Sequence, residues 1–151
     1  MRFIDLLGPD AVAAGLRTGS KHRLFEEIAR RIAPGDVALG VLEALTEREA
    51  MGGTALGAGA ALPHGRCDAL ASPVGGLFRL ATPIAWGADD GRPVDLVAAL
   101  VVPVQFTGRH LELLAELAEA FADPGLCARL RVAPDAGALR GELAQWSARR
   151  G

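Results

Sequence analysis

The sequence predicts an α/β fold, with helices packed around a mixed β-sheet. Two amphipathic helical patterns open the chain and further ones close it, while a strand-like, glycine-containing stretch lies between them. The segment Val94 to Val102 is apolar almost throughout, the pattern of a strand covered on both faces. At 151 residues, 50% apolar and 23% charged, the chain can bury one hydrophobic core. No internal repeat or linker divides it, so one domain spanning 1–151 is expected.

The elements follow in order. Ser20 is placed to cap a helix running to about Ala33, with Leu24, Phe25, Ile28, Ala29 and Ile32 on its apolar face and His22, Glu26 and Arg30 opposite. Pro34-Gly35 ends it. Asp36 is placed to cap a second helix, inward at Val37, Val41, Leu42 and Leu45, which fades near Arg48 to Met51. Strands are expected at Gly57 to Leu62, Val74 to Ala81 and Val94 to Val102, with a shorter one at Ile84 to Trp86 and a turn at Ala88-Asp89-Asp90-Gly91. Thr107 suits the cap of a third helix ending near Ala122. Its His110, Leu114, Leu117 and Phe121 share a stripe, while Glu112, Glu116 and Glu119 are expected to face water. A short helix over Leu126 to Arg131 follows. Pro134-Asp135 opens the last, with Leu139, Leu143 and Trp146 on one face.

Composition removes several function classes. Lys plus Arg total 16 against 18 Asp plus Glu, so there is no electrostatic case for nucleic acid or an anionic membrane. The longest apolar stretch, Leu96 to Val104, is too short to span a bilayer, and the N-terminus lacks a signal-like run. Cys67 and Cys127 have no metal-like spacing and are too few for a disulfide framework, so a reduced, cytoplasmic protein is expected.

Three histidines remain as chemistry. His64 lies in Gly57-Ala58-Gly59-Ala60-Ala61-Leu62-Pro63-His64-Gly65, where small neighbours allow close approach and Pro63 fixes the backbone before the ring. Read locally, it is either a nucleophile near its neutral range at pH 7 or a solvent-facing turn histidine. His110 falls in the first turn of the third helix. The unpaired N–H groups there favour anions and disfavour imidazolium; the alternative is a half-buried ring satisfied by a backbone carbonyl. Arg48, at the end of the second helix, can neutralise a phosphoryl group or simply complement the helix dipole. His22 shares a stripe with Glu26 and Arg30 and reads as solvated. The run Gly52 to Gly59 lacks the Gly-Lys-Ser/Thr ending of a P-loop and precedes a strand, which argues against nucleotide binding. No acidic residue stands at ligand spacing from His64 or His110, so no metal is expected, and no cofactor.

Together these segments resemble a known family, the IIA proteins of the fructose/mannitol and nitrogen-regulatory branches of the bacterial phosphotransferase system. Leu45-Thr46-Glu47-Arg48-Glu49-Ala50-Met51-Gly52-Gly53-Thr54, continuing to Leu62-Pro63-His64-Gly65, is similar to the family signature. Thr82-Pro83-Ile84-Ala85-Trp86 with Asp90 to Val97 is similar to a second block, and Val102-Pro103-Val104 leading into His110-Leu111-Glu112-Leu113-Leu114-Ala115 to a third. The resemblance implies a single mixed β-sheet flanked by helices on both faces. It implies that His64 accepts a phosphoryl group from an HPr- or NPr-type phosphocarrier, that His110 helps hold it and that Arg48 lines the same site. It implies a phosphotransferase relay protein with downstream regulatory targets, such as potassium-transport or stress-signalling systems, or with a IIB component. The chain's minimal, free-standing length favours the nitrogen-regulatory branch. A sugar-transport IIA, and a partner-binding module of the same fold without phosphoryl transfer, are the alternatives. Two positions depart from the pattern. Gly53 stands where Ser is common and Ala58 where a polar residue is usual, so hydrogen bonds near the site are expected to be lost.

Overall fold

A computed structural model of the chain describes residues 1–106 and 108–150. The Thr107 cap expected for the third helix lies outside them. Two short 3-10 turns, Phe3–Leu6 and Pro9–Ala11, lead into β1 (Val12–Leu16). Helices α1 (Lys21–Ile32) and α2 (Ala38–Ala50) follow, then β2 (Ala55–Gly57), β3 (Ala60–Ala61), β4 (His64–Arg66), β5 (Val74–Ile84) and β6 (Val94–Val102). Helices α3 (Gly108–Phe121), α4 (Pro124–Val132) and α5 (Ala136–Arg150) close the described chain. No described helix is long and apolar enough to cross a membrane.

The caps explain where the first helices begin. Ser20 Oγ accepts the Arg23 N–H at 3.1 Å, as its position predicts, and the five expected apolar residues of α1 are all buried. Asp36, by contrast, does not cap α2. The Pro34 carbonyl takes the Val37 and Ala38 N–H groups (2.9 and 3.0 Å), so the turn after Pro34-Gly35 winds directly into the helix, and Val37 precedes it without a side-chain cap.

The sheet is mixed, with order β1-β5-β6-β3-β2, and β4 extends β3 along the same side of β6. β5 and β6 pair antiparallel, β1 runs parallel to β5, and β3 and β4 run parallel to β6. The register divides β6 between two cores. Leu96, Ala98, Leu100 and Val102 lie with Leu77 against Leu113, Leu117, Leu126, Leu130, Leu139 and Leu143 of α3, α4 and α5. Val97, Ala99 and Val101 lie with Phe78 against Leu24, Phe25, Ile28, Val41 and Leu45 of α1 and α2. Each large side chain so buried contributes roughly 1.5–3 kcal/mol, which accounts for the uninterrupted apolar run at the sheet's centre.

Several expectations are corrected. The single strand read at Gly57 to Leu62 is two short strands, β2 and β3, joined by Gly57-Ala58-Gly59 at φ values of 90°, 56° and 80°. Side chains hold this left-handed turn: Asp90 Oδ2 accepts the Ala58 N–H (2.8 Å), and Arg131 donates to the Ala58 carbonyl (2.7 Å) while gripping Asp95. Beyond Pro63 the strand resumes as β4. Pro63 has no N–H to lose, yet its carbonyl still accepts from Leu100 (3.1 Å), so the ladder continues through it. Ile84 ends β5 rather than starting a strand of its own. β1 escapes the pattern reading because its Val-Ala-Ala-Gly-Leu is too small and short to show alternation. Glu116 does not face water: it is 5% exposed, and its Oε1 accepts the Phe3 N–H at 3.1 Å. The N-terminal turn folds back over that stripe of α3, a contact that helix periodicity alone does not reveal.

Candidate functional site

β4 begins at His64, on the rung of Leu100. Leu100 belongs to the core beneath α3–α5, and side chains on one rung of a parallel pair share a face. The imidazole therefore emerges on the side of α3, whose third residue is His110. The two ring centroids are 6.0 Å apart and their planes tilt by 48°. The following residue, Gly65, turns to the opposite face, directly under α2. A Cβ there would lie 2.7 Å from the Ala44 carbonyl oxygen, so only glycine lets the helix backbone approach this closely. That approach brings the last turn of α2, with Arg48, over the end of β4.

The result is a cleft of about 270 Å³ lined by Ala44, Glu47, Arg48, Met51, His64, Gly65, Arg66 and His110. All three residues singled out in the sequence line it. His22, read as solvated, is exposed on α1.

The ring chemistry follows from the partners. His64 Nδ1 lies 2.8 Å from the Leu62 carbonyl oxygen. A carbonyl only accepts, so Nδ1 carries the proton and the neutral ring keeps its lone pair on Nε2. Burial holds the His64 pKa below the ordinary histidine value; the Leu62 bond acts against this, while the Arg48 charge adds to it. His110 is 8% exposed. Its pKa is lowered too, by burial first and then by the Arg66 and His64 charges. Its Nδ1 is buried without a hydrogen-bond partner among the described residues, so the backbone carbonyl weighed for it in the sequence is not found there. Both rings are therefore neutral at pH 7.

Arg48 Nη1 donates to the Gly52 carbonyl at 2.8 Å, leaving its other N–H groups for an anion. Arg66 is a cation that the sequence reading missed. Its Nη1 donates to the Val104 and Phe106 carbonyls, tying the segment before α3 to β4, and its charge bears on His110. In sequence it is an exposed arginine after His-Gly, and nothing local distinguishes it. Glu49, the neighbour of Arg48 in sequence, is a half-buried junction. Its carboxylate accepts from the Thr54 N–H (3.0 Å), the Thr54 hydroxyl, Trp86 Nε1 (3.1 Å) and Lys21 Nζ (3.2 Å).

The two departures from the family pattern lie differently. A Cβ at Gly53 would stand 3.7 Å from Glu49 Oε2, so a side chain fits there beside that junction. Ala58 is at the β2–β3 turn, more than four rungs of β6 from His64, since Ala60 pairs Leu96 and His64 pairs Leu100. Its loss of polarity removes nothing from the cleft.

Comparison with known proteins places this arrangement. Residues 5–145 match the family described as phosphoenolpyruvate-dependent sugar phosphotransferase system, EIIA 2. The chain is 37% identical over 146 residues to the nitrogen regulatory protein of Bradyrhizobium diazoefficiens, covering 95% of each. It superposes on the crystal structure of nitrogen regulatory protein IIA-Ntr from Neisseria meningitidis with a TM-score of 0.82, at 35% identity over 93% of this chain and 97% of that one. Mannitol IIA of Escherichia coli shares the fold, with a TM-score of 0.74 at 16% identity over 91% of this chain and 98% of that one. A mixed sheet with flanking helices, expected from the sequence, is thus the fold of these neighbours, and the chain belongs to the EIIA 2 family of the phosphoenolpyruvate-dependent sugar phosphotransferase system.

Proposed function

We propose that this chain accepts a phosphoryl group on His64 Nε2 from an HPr-type phosphocarrier, within the nitrogen-regulatory branch of its family, and acts on its targets according to that phosphorylation state. The observation that carries the reading is the Nδ1–Leu62 hydrogen bond, which leaves Nε2 as the nucleophile in a cleft shared with His110 and Arg48. The names of the relatives support the branch. In this reading residues 1–151 act as one cytoplasmic IIA-type unit.

The transfer is an in-line displacement. The Nε2–phosphorus bond forms as the bond from phosphorus to the carrier's ring nitrogen breaks, and the carrier leaves with that electron pair. His64 keeps its Nδ1 proton, so the ring becomes formally positive, and the Leu62 carbonyl stabilises that charge. Little covalent work falls to the protein, and positioning with charge stabilisation dominates. An orphaned buried N–H is costlier than an orphaned lone pair, so the buried Nδ1 of His110 favours the tautomer protonated at Nε2. That N–H then donates to a phosphoryl oxygen, and Arg48 offers its free N–H groups to another. Met51, Val104 and Leu111 are exposed apolar residues around the cleft and suit docking of the carrier.

The test is intact mass after incubation with phosphoenolpyruvate, Enzyme I and an HPr-type carrier, with ³¹P NMR of the product. One acid-labile adduct at the Nε2 position on wild type, and none on His64→Ala, is the expected result. A folded wild type that stays unmodified beside phosphorylated carrier would sink the relay.

A further inference from the structure

Arg48 reaches the cleft from a helix end, and a free arginine there would sample many rotamers. What restrains it among the described residues is the hydrogen bond from Nη1 to the Gly52 carbonyl at 2.8 Å. Gly52 lies in the loop Met51 to Gly53; the Met51 and Gly52 N–H groups bond back to the Arg48 and Glu49 carbonyls (3.2 and 3.3 Å), while the Met51 side chain is 83% exposed. The side-chain anchor is the residue after the loop. Thr54 is buried, and both its N–H and its hydroxyl donate to Glu49. Glu49 is in turn fixed by Trp86 Nε1 and Lys21 Nζ. Lys21 also donates to the Trp86 carbonyl (3.1 Å) and lies 4.9 Å from the Trp86 ring centroid, while Trp86 meets Phe25 edge to face at 5.9 Å. One carboxylate thus joins the start of α1, the end of α2, the loop after it and the residue two beyond β5.

We propose that Glu49 is a positioning residue for phosphoryl transfer: by holding Thr54 at two points it fixes the Met51–Gly53 loop, so that the Gly52 carbonyl presents Arg48 to the phosphoryl group. This rests on His64 being the acceptor. Glu49 touches no reacting atom; its influence runs through Thr54, Gly52 and Arg48. A guanidinium has five N–H donors in a rigid fork, and holding one at Gly52 orders the rest without consuming them. A positioning role of this kind affects the transfer step, not the encounter with the carrier.

The experiment is a double-mutant cycle on transfer from phosphorylated HPr-type carrier. Glu49→Ala should lower kcat by about tenfold to a hundredfold, the range that misplacing one group by an ångström can cost, and leave KM for the carrier within about twofold. In the Arg48→Ala background the same change should cost less than about twofold, because the residue it positions is gone. Glu49→Gln should recover most of the rate, since its carbonyl can accept in place of Oε2 and its amide can donate to the Thr54 hydroxyl. If Glu49→Ala does not fold, Thr54→Val decides, with a loss of about threefold to tenfold that vanishes in Arg48→Ala. Equal losses in the two backgrounds, or a change confined to KM, would overturn the positioning role while leaving the relay intact. An unmodified wild type would overturn the relay and this role with it.

Discussion

His64 is a ring with one nitrogen already engaged by its own chain, and that has a consequence for its pH dependence. In the proposed relay only the neutral ring attacks, and burial keeps it neutral to lower pH than a free histidine. The single-turnover rate of transfer should therefore be flat between pH 7 and 8 and fall only below about 6.5, the ordinary histidine value. A midpoint at or above that value would contradict the buried setting. In the proposed relay His110→Ala removes a donor to the phosphoryl group, and should slow transfer or shorten the life of the phosphoprotein by about a hundredfold. Circular dichroism should show the fold unchanged, and an unchanged rate and half-life would remove His110 from the site. At this scale the sequence carried a good deal. His64, His110 and Arg48 stand in distinctive local settings, and all three line the cleft. Arg66 and the Glu49 junction were not legible, because their partners, Val104, Phe106, Thr54, Trp86 and Lys21, are brought to them by folding.

Among the elements, long periodic stretches were readable and short ones were not. α1, β6 and α5 announce themselves through many residues of one period, whereas β1, β3 and β4 hold five residues or fewer and owe their conformation to the neighbours they pair with. Gly65 shows how tightly one short strand is tied to its neighbour. An alanine there would set its Cβ 2.7 Å from the Ala44 carbonyl, against backbone that cannot rotate aside. Gly65→Ala should thus push α2 away from β4, lower stability by roughly 1–3 kcal/mol in urea denaturation, and impair transfer by displacing Arg48. A variant with unchanged stability would show that α2 moves freely over the strand. The β2–β3 turn offers the converse. Ala58 sits at φ 56°, where an alanine is disfavoured by roughly 1–2 kcal/mol and asparagine is better accommodated. Glycine would relieve this but carry a larger chain-entropy loss of its own, roughly 0.5–1 kcal/mol, which offsets about half of the gain. Ala58→Asn avoids that loss and should raise stability by about 0.5–1 kcal/mol. The turn lies more than about 13 Å along the strand from His64 at about 3.3 Å per residue, so transfer kinetics should not change.

For the whole molecule, the same burial that tunes the site makes stability depend on pH. His64 and His110 both have folded-state pKa values below the unfolded value, with burial as the leading cause in each. Between the folded values and about 6.5, the unfolded chain binds protons that the folded chain refuses. Stability therefore rises with pH through this window and is fully present only above it; on acidification it begins to decline near the unfolded value and keeps declining until the folded rings also protonate. Glu27 works in a separate, lower window. The Arg31 hydrogen bond leads in holding its pKa below the usual carboxylate value, so its contribution is present above the unfolded value and lost as pH falls through the folded one. The decline between about pH 6.5 and about 5 should belong chiefly to the two histidines, whose folded pKa values are lowered from the top of that range. Denaturation midpoints measured from pH 8 to 5 should fall across that range in the wild type. In a His64→Gln/His110→Gln double variant the slope should flatten there and return only at lower pH, where carboxylates protonate. An equally steep slope in the double variant would mean that the cleft's neutral histidines are not what acid attacks first.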